Sequence, residues 1–303
     1  LLDRWNLLKG SSFINEHWYE CVGEFREGFA AVNNKAKGWN FINRDGKEVF
    51  GRWYDNVGNF SEGFAAVKDE NKGWNFINID GKEICNRWYD NAGSFSEGFA
   101  WVWDKTKGWN FINYEGDEVC DRWYDDVCSF REGFAMVQDF DNGWNFVNRE
   151  GKEVFDCWYN DACNFSEGFA AVKYETKGWN FINHDGKELC DRWYDNVFDF
   201  FEGFAKVYDR TKGYNFINRD GKEICDRWYD NGLYFSEGFA MVIVKNKGRN
   251  FINRDGNEIC DRWYDSALSF SEGFAKVEYK GKRYRLRKDG VLCDYETRKP
   301  IED

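Results

Sequence analysis

The sequence predicts an all-β chain of tandem 35-residue antiparallel β-meanders. They form an open β-solenoid or superhelical array, with a closed eight-bladed β-propeller as the alternative. Three observations predict this. Glu-Gly-Phe-Ala recurs eight times, from Glu27 to Glu272, always 35 residues apart. Trp-Tyr keeps the same period from Trp18 to Trp263. The stretches between turn signals are 4–7 residues long and rich in aromatic and β-branched types. A helix needs a longer periodic run, so these stretches read as strands.

One copy shows each element in order. Phe64 to Lys68 is the first strand, and a variable tip ending in Lys72-Gly73 leads to the second, Trp74 to Asn78. Asn78-Ile79-Asp80-Gly81 is a hairpin turn, because Asn binds its own backbone and Gly tolerates positive φ. A third strand is expected over Lys82 to Cys85. Trp88-Tyr89-Asp90 is a short fourth strand or an extended connection. A single meander of this size cannot bury both faces, so stability must come from stacking. Phe64, Trp74, Phe76, Trp88 and Tyr89 are the expected repeat core, touching rings of neighbouring copies. Arg87 is expected to stack on a ring of its own or the next copy.

The domain reading follows the period. Residues 1–24 are a partial repeat that caps the N-terminal side, and 25–275 hold seven complete repeats. Residues 276–303 are a divergent partial repeat that decays into charge, from Lys280 to Lys288. The chain begins at Leu1, so a preceding leader or domain stays open.

Composition narrows the function. Lys and Arg number 42 against 54 Asp and Glu, a net charge of −12, which disfavours nucleic acid as a partner. No apolar run is long enough to span a membrane as a helix. Two histidines, His17 and His184, leave little scope for imidazole chemistry.

Carboxylates such as Glu62, Glu83, Asp80 and Asp90 recur in nearly every copy, which does not suit one unique active site. Glu62 reads as an acceptor for backbone N–H groups at the turn before Phe64. The Asn-x-Asp-Gly turn lacks the first Asp and closing Glu of a calcium loop. The ten cysteines include no C-x-x-C pair. Cys85, Cys120, Cys190, Cys225 and Cys260 share one repeat position with Phe50 and Phe155, so that position is apolar packing. Unpaired thiols at this density favour a reducing compartment such as the cytoplasm. No catalytic residue, cofactor or metal is expected.

The positions that the repeat leaves variable are the informative ones. At the tips stand Trp103, Phe140, Tyr174 and Tyr208, with Asp69, Asp104, Asp139 and Asp209. They read either as a tolerant solvent edge or as a partner-binding row of aromatic and acidic residues in exposed loops. The leading expectation is a non-enzymatic scaffold for another protein. The alternative is a carbohydrate- or cell-surface-binding module using exposed Trp and Tyr.

Lys-Gly-Trp at 37–39, 72–74, 107–109 and 177–179, followed by the hairpin and Phe-Ser-Glu-Gly-Phe-Ala, resembles the WG-repeat or KWG-repeat family of bacterial proteins. The resemblance covers about residues 13–290. Two departures stand out. Asn follows Gly-Trp where the family more often has Tyr or Phe, and Arg-Trp replaces the proline before Tyr-Asp. The resemblance implies all-β repeat modules, often joined to other domains, and carries over no catalytic residue.

Overall fold

Glu62 and Gly63 have φ of 55° and 85°. Ser61 and Phe64 exchange both backbone hydrogen bonds across them, at 2.9 and 3.1 Å. Positive φ at both central residues is the primed two-residue turn that suits the twist of paired strands. The computed structural model describes residues 7–8, 11–15 and 17–301. In it the same Glu-Gly geometry recurs in all eight copies.

From this turn the strand Phe64–Asp69 pairs antiparallel with Gly73–Asn78, in the register Ala65↔Ile77 and Val67↔Asn75. Gly73 has φ of 103°, and a Cβ built there would lie 2.2 Å from the Tyr89 carbonyl oxygen. That close approach requires glycine in Lys-Gly-Trp. The Asn78 turn forms as its residues dictate, since Asn78 Oδ1 accepts the N–H groups of Asp80 and Lys82 at 3.0 and 2.9 Å.

The expected third strand over Lys82 to Cys85 does not form; only the bridge Ile77↔Glu83 remains. The reason is a buried side chain. Asn75 Nδ2 donates to the Cys85 carbonyl at 3.1 Å, and Asn75 Oδ1 accepts the Cys85 N–H at 3.2 Å. These bonds hold the segment that a ladder would otherwise hold.

The third strand of each sheet comes instead from the Trp-Tyr-Asp connection. Tyr89 pairs with Trp74, and the next two residues beyond Asp90, Asn91–Ala92, pair with the following strand Ala100–Asp104. The connection thus passes from one sheet to the next. The sheets are three-stranded among the described residues, except the last, which adds Leu292–Asp294. One first strand is atypical: Asn231–Ser236 has six residues where its counterparts have two, and its register shifts between Gly232 and Phe235.

The chain divides into two compact units, Leu1–Trp158 and Tyr159–Asp303. Within the first unit, the two faces of Gly73–Asn78 pack against different copies. Ile77 joins Phe41, Tyr54 and Phe60, whereas Phe76 joins Phe95, Val102 and Ile112. Phe95 receives Phe64 at 4.7 Å and Phe76 edge-on at 5.2 Å. In the second unit, Phe235 receives Phe204 at 4.2 Å and Phe216 at 5.4 Å. Burying each such ring contributes about 1.5–3 kcal/mol. Phe76 and Tyr89 are buried, Phe64 is half-buried, and Trp74 and Trp88 stand half-exposed at the rim. Residues 1–6, 9–10 and 16 of the expected N-terminal cap lie outside the described residues.

Candidate binding surface

The tips that carry an aspartate are pinned from two sides, as the Asp104 tip shows. Asp104 Oδ1 accepts the Thr106 N–H at 2.9 Å and the Thr106 hydroxyl at 2.6 Å, and its other oxygen pairs with Arg87. Asp90, from the Trp-Tyr-Asp segment, accepts the Lys105 N–H at 2.9 Å. The bond from the Thr106 hydroxyl, joined by its N–H and by Arg87, lowers the Asp104 carboxyl to about 2. Asp209 is lowered to about 2 in the same way by Thr211 and Arg192. Asp139 binds Arg122 at 2.7 Å and Asp69 binds Arg52 at 2.6 Å. All four tip aspartates are therefore committed to their own loops and to an arginine.

The tip aromatics divide. Phe140 is 75% exposed. Trp103, Tyr174 and Tyr208 do not stand in exposed loops; they are half-buried within strands. Ring contacts explain this, across the strand pair for Trp103 and Tyr208 and onto the Trp-Tyr segment for Tyr174. Trp103 lies 6.1 Å from Trp109, Tyr208 lies 4.7 Å from Tyr214, and Tyr174 lies 5.3 Å from Trp193.

A second row consists of cations on tryptophan. The Arg87 guanidinium sits 4.8 Å from the Tyr89 ring and 5.5 Å from Trp123 of the next copy, as its position before Trp88 suggested. Lys107 sits 5.1 Å from the same Trp123 ring. Trp88 likewise carries Arg52 at 5.5 Å and Lys72 at 5.3 Å. Such contacts are worth about 0.5–1 kcal/mol each where exposed.

The third row is the glutamate of the turn. Both oxygens of Glu62 accept backbone N–H groups of the following copy, from Glu97 and Gly98, at 2.8 Å each. Glu27 serves Glu62 and Gly63 identically, and Glu202 serves Glu237 and Gly238. The Tyr114 hydroxyl donates to Glu62, and Arg149 and Arg219 pair with Glu97 and Glu167. The sequence placed this carboxylate at its own turn; the structure moves it one copy along.

Sequence reasoning missed the buried asparagine two residues after the repeat glycine, at Asn40, Asn75, Asn110, Asn145 and Asn180 after Gly-Trp, Asn215 after Gly-Tyr and Asn250 after Gly-Arg. Its strict recurrence at an otherwise apolar strand position was the available signal. The shared cysteine position is buried at Cys85, Cys120, Cys190 and Cys225, and burial raises each thiol to about 12. His184 lies edge-on to Phe165 at 4.8 Å. Among the described residues, no helix is long and apolar enough to cross a membrane.

The sequence pattern of the family described as WG containing repeat matches residues 39–72, 74–102, 144–177, 179–209, 216–247 and 251–282. No curated protein matches the chain. Among solved structures, the computationally designed Ika8 protein is similar at 10% identity and a TM-score of 0.38, over 92% of this chain and 96% of that one. BamB from Moraxella catarrhalis is similar at 8% identity and a TM-score of 0.38, over 90% of this chain and 94% of that one.

Proposed function

We propose, from the premise that the chain belongs to the WG containing repeat family, that it is a non-enzymatic scaffold binding another protein through its repeated surface. The family and the repeat fold suggest a scaffold without catalysis. One observation carries the finer reading. The polar groups that repeat are consumed within the stack: Glu62 by backbone amides, Asp104 by its loop and Arg87, Asn75 by the Cys85 segment. Chemistry that differs from copy to copy is left for recognition, and it sits on the tips and outer strands.

The glycan alternative needs open tryptophan faces. Trp88 and Trp123 already carry two cations each, which a sugar would have to displace. Native co-purification with mass spectrometry tests the proposal. A defined stoichiometric partner that soluble glycans do not release is expected. No retained protein, or release by glycans, would contradict it.

A further inference from the structure

One repeat position changes character along the chain. Just after the short strands Cys21–Val22, Asn56–Val57 and Asn91–Ala92 stand Gly23, Gly58 and Gly93; the same position then holds Cys128, Cys163, Phe198, Leu233 and Leu268. The backbone geometry is shared: the Gly58 N–H donates to the Ala66 carbonyl at 2.8 Å, and the N–H groups of Phe198 and Leu268 donate to Lys206 and Lys276 at 2.9 Å. Packing does not account for the large side chains. Leu233 is 41% exposed and Leu268 61%. Phe201 and Tyr234 replace serine or other polar residues of sister copies and are 53% and 44% exposed. Phe198 and Tyr234 touch edge-on at 6.3 Å, and Phe201 and Tyr234 at 6.4 Å. These contacts join Phe198, Phe201 and Tyr234 into one partly exposed apolar surface, and such a surface marks an interaction site.

Two cations lie along this column. Lys206 stands where sister copies have Ala66, Ala171 or Met241, and it is only 8% exposed. Its Nζ donates to the Gly232 carbonyl at 3.0 Å and lies 4.0, 4.9 and 5.7 Å from the rings of Phe198, Tyr214 and Tyr234. No carboxylate pairs with it among the described residues. Burial lowers its ammonium below the ordinary lysine value. Lys276, at the same repeat position, is exposed and faces Arg285 directly across the strand pair. Like charges placed opposite are unfavourable, and neither forms an ion pair among the described residues.

We infer that this column of the second unit, formed by Phe201, Leu233, Tyr234 and Leu268 with Lys206 and Lys276, docks an extended partner segment that alternates apolar residues with carboxylates. The apolar side chains bury its leucine- or phenylalanine-like residues, the exposed Lys276 ammonium receives a carboxylate, and Lys206 acts from beneath the Phe198 and Tyr234 rings as a fixed positive charge. In a chain of net charge −12 these unpaired cations select an acidic segment. They also oppose a second copy docked face to face, which would bring ammonium against ammonium. The assignment rests on the scaffold reading and names the partner chemistry for one surface.

The test is fluorescence anisotropy with a fluorescein-labelled dodecapeptide of alternating Leu and Asp. Two variants restore residues that sister copies already carry, which preserves the fold. One combines Phe201→Ser, Leu233→Gly, Tyr234→Ser and Leu268→Gly; the other combines Lys206→Met and Lys276→Ala. Saturable binding to the native chain, weakened about tenfold or more by either variant, is expected. Absence of saturable binding, or a variant of either kind that binds as tightly as the native chain, overturns the inference. So does equal affinity for a Leu-Lys dodecapeptide, or a dimer in sedimentation that the first variant abolishes. Failure of the peptide while native co-purification still returns a partner overturns this surface and leaves the scaffold reading intact.

Discussion

The carboxylate of Glu62 grips the turn at Gly98 one full repeat away, with its two oxygens on the N–H groups of Glu97 and Gly98 at 2.8 Å. Glu62 does this from the left-handed region, at φ of 55°. A side chain with Cβ costs about 1–2 kcal/mol there. Two hydrogen bonds to an ionised acceptor, at about 1.5–3 kcal/mol each, offset the strain. The link between copies thus explains why glutamate sits where asparagine or glycine would be the ordinary choice.

Glu62→Ala keeps the strain and loses both bonds, so a loss of about 2–4 kcal/mol is expected. Glu62→Gly loses the bonds but relieves the strain, and should be milder by about 1 kcal/mol. Urea midpoints of the two variants check the order. Equal midpoints would show that the φ value carries no energy.

Gly73→Ala and Gly63→Ala separate crowding from backbone strain. Both positions have positive φ, but a Cβ at Gly73 would meet the Tyr89 carbonyl oxygen at 2.2 Å, whereas at Gly63 nothing lies within 4 Å. Gly63→Ala should cost about 1–2 kcal/mol. Gly73→Ala should cost clearly more, because it breaks the Trp74–Tyr89 pairing. Thermal unfolding measures the difference.

Asn75→Leu leaves the Phe76 and Cys85 N–H groups and the Cys85 carbonyl without their buried partner. A loss of about 3 kcal/mol is expected. Hydrogen exchange gives the sharper check, since protection should collapse at Cys85 while Val67 stays protected.

Asp104 titrates at about 2 when folded, against a reference of 3.8. A carboxyl lowered by folding contributes stability above its unfolded value, and that contribution is lost as pH falls toward the folded value. The tip should therefore loosen between about pH 4 and pH 2. Carboxylate titration by NMR checks this, and Thr106→Val should move the Asp104 midpoint upward.

Cys85 is buried with its thiol raised to about 12, whereas Cys21 and Cys157 are exposed. Iodoacetamide at mildly alkaline pH should modify Cys21 and Cys157 and spare Cys85 until the chain unfolds. Peptide mapping by mass spectrometry reads this directly. Comparable labelling of Cys85 in the native chain would contradict its place in the core.

Much of the fold was legible because every copy repeats the same local instructions. Glu-Gly, Lys-Gly-Trp and Asn-x-Asp-Gly each specify a turn, and the short aromatic stretches between them can only be strands. The third strand was misplaced because Lys82 to Cys85 has strand-like composition, and composition does not reveal that Asn75 competes for its backbone. The reach of Glu62 was hidden for a similar reason: a period shows which residues recur, not whether a side chain contacts its own copy or the next. The tip aromatics read as exposed because the period marks their positions as variable, whereas the strand Ala100–Asp104 includes Trp103 and carries it onto Trp109. The column at Phe198 was visible as variation, but its exposure and the burial of the Lys206 ammonium depend on how neighbouring strands pack, which a period does not show.

A double-mutant cycle on Phe64 and Phe95, each changed to Leu, tests most directly whether neighbouring copies hold one another. Their ring centroids lie 4.7 Å apart across the boundary between successive repeats. The account predicts a coupling of about 0.5–1.5 kcal/mol between the two substitutions. Strict additivity, with each variant acting as though the other ring were absent, would contradict it.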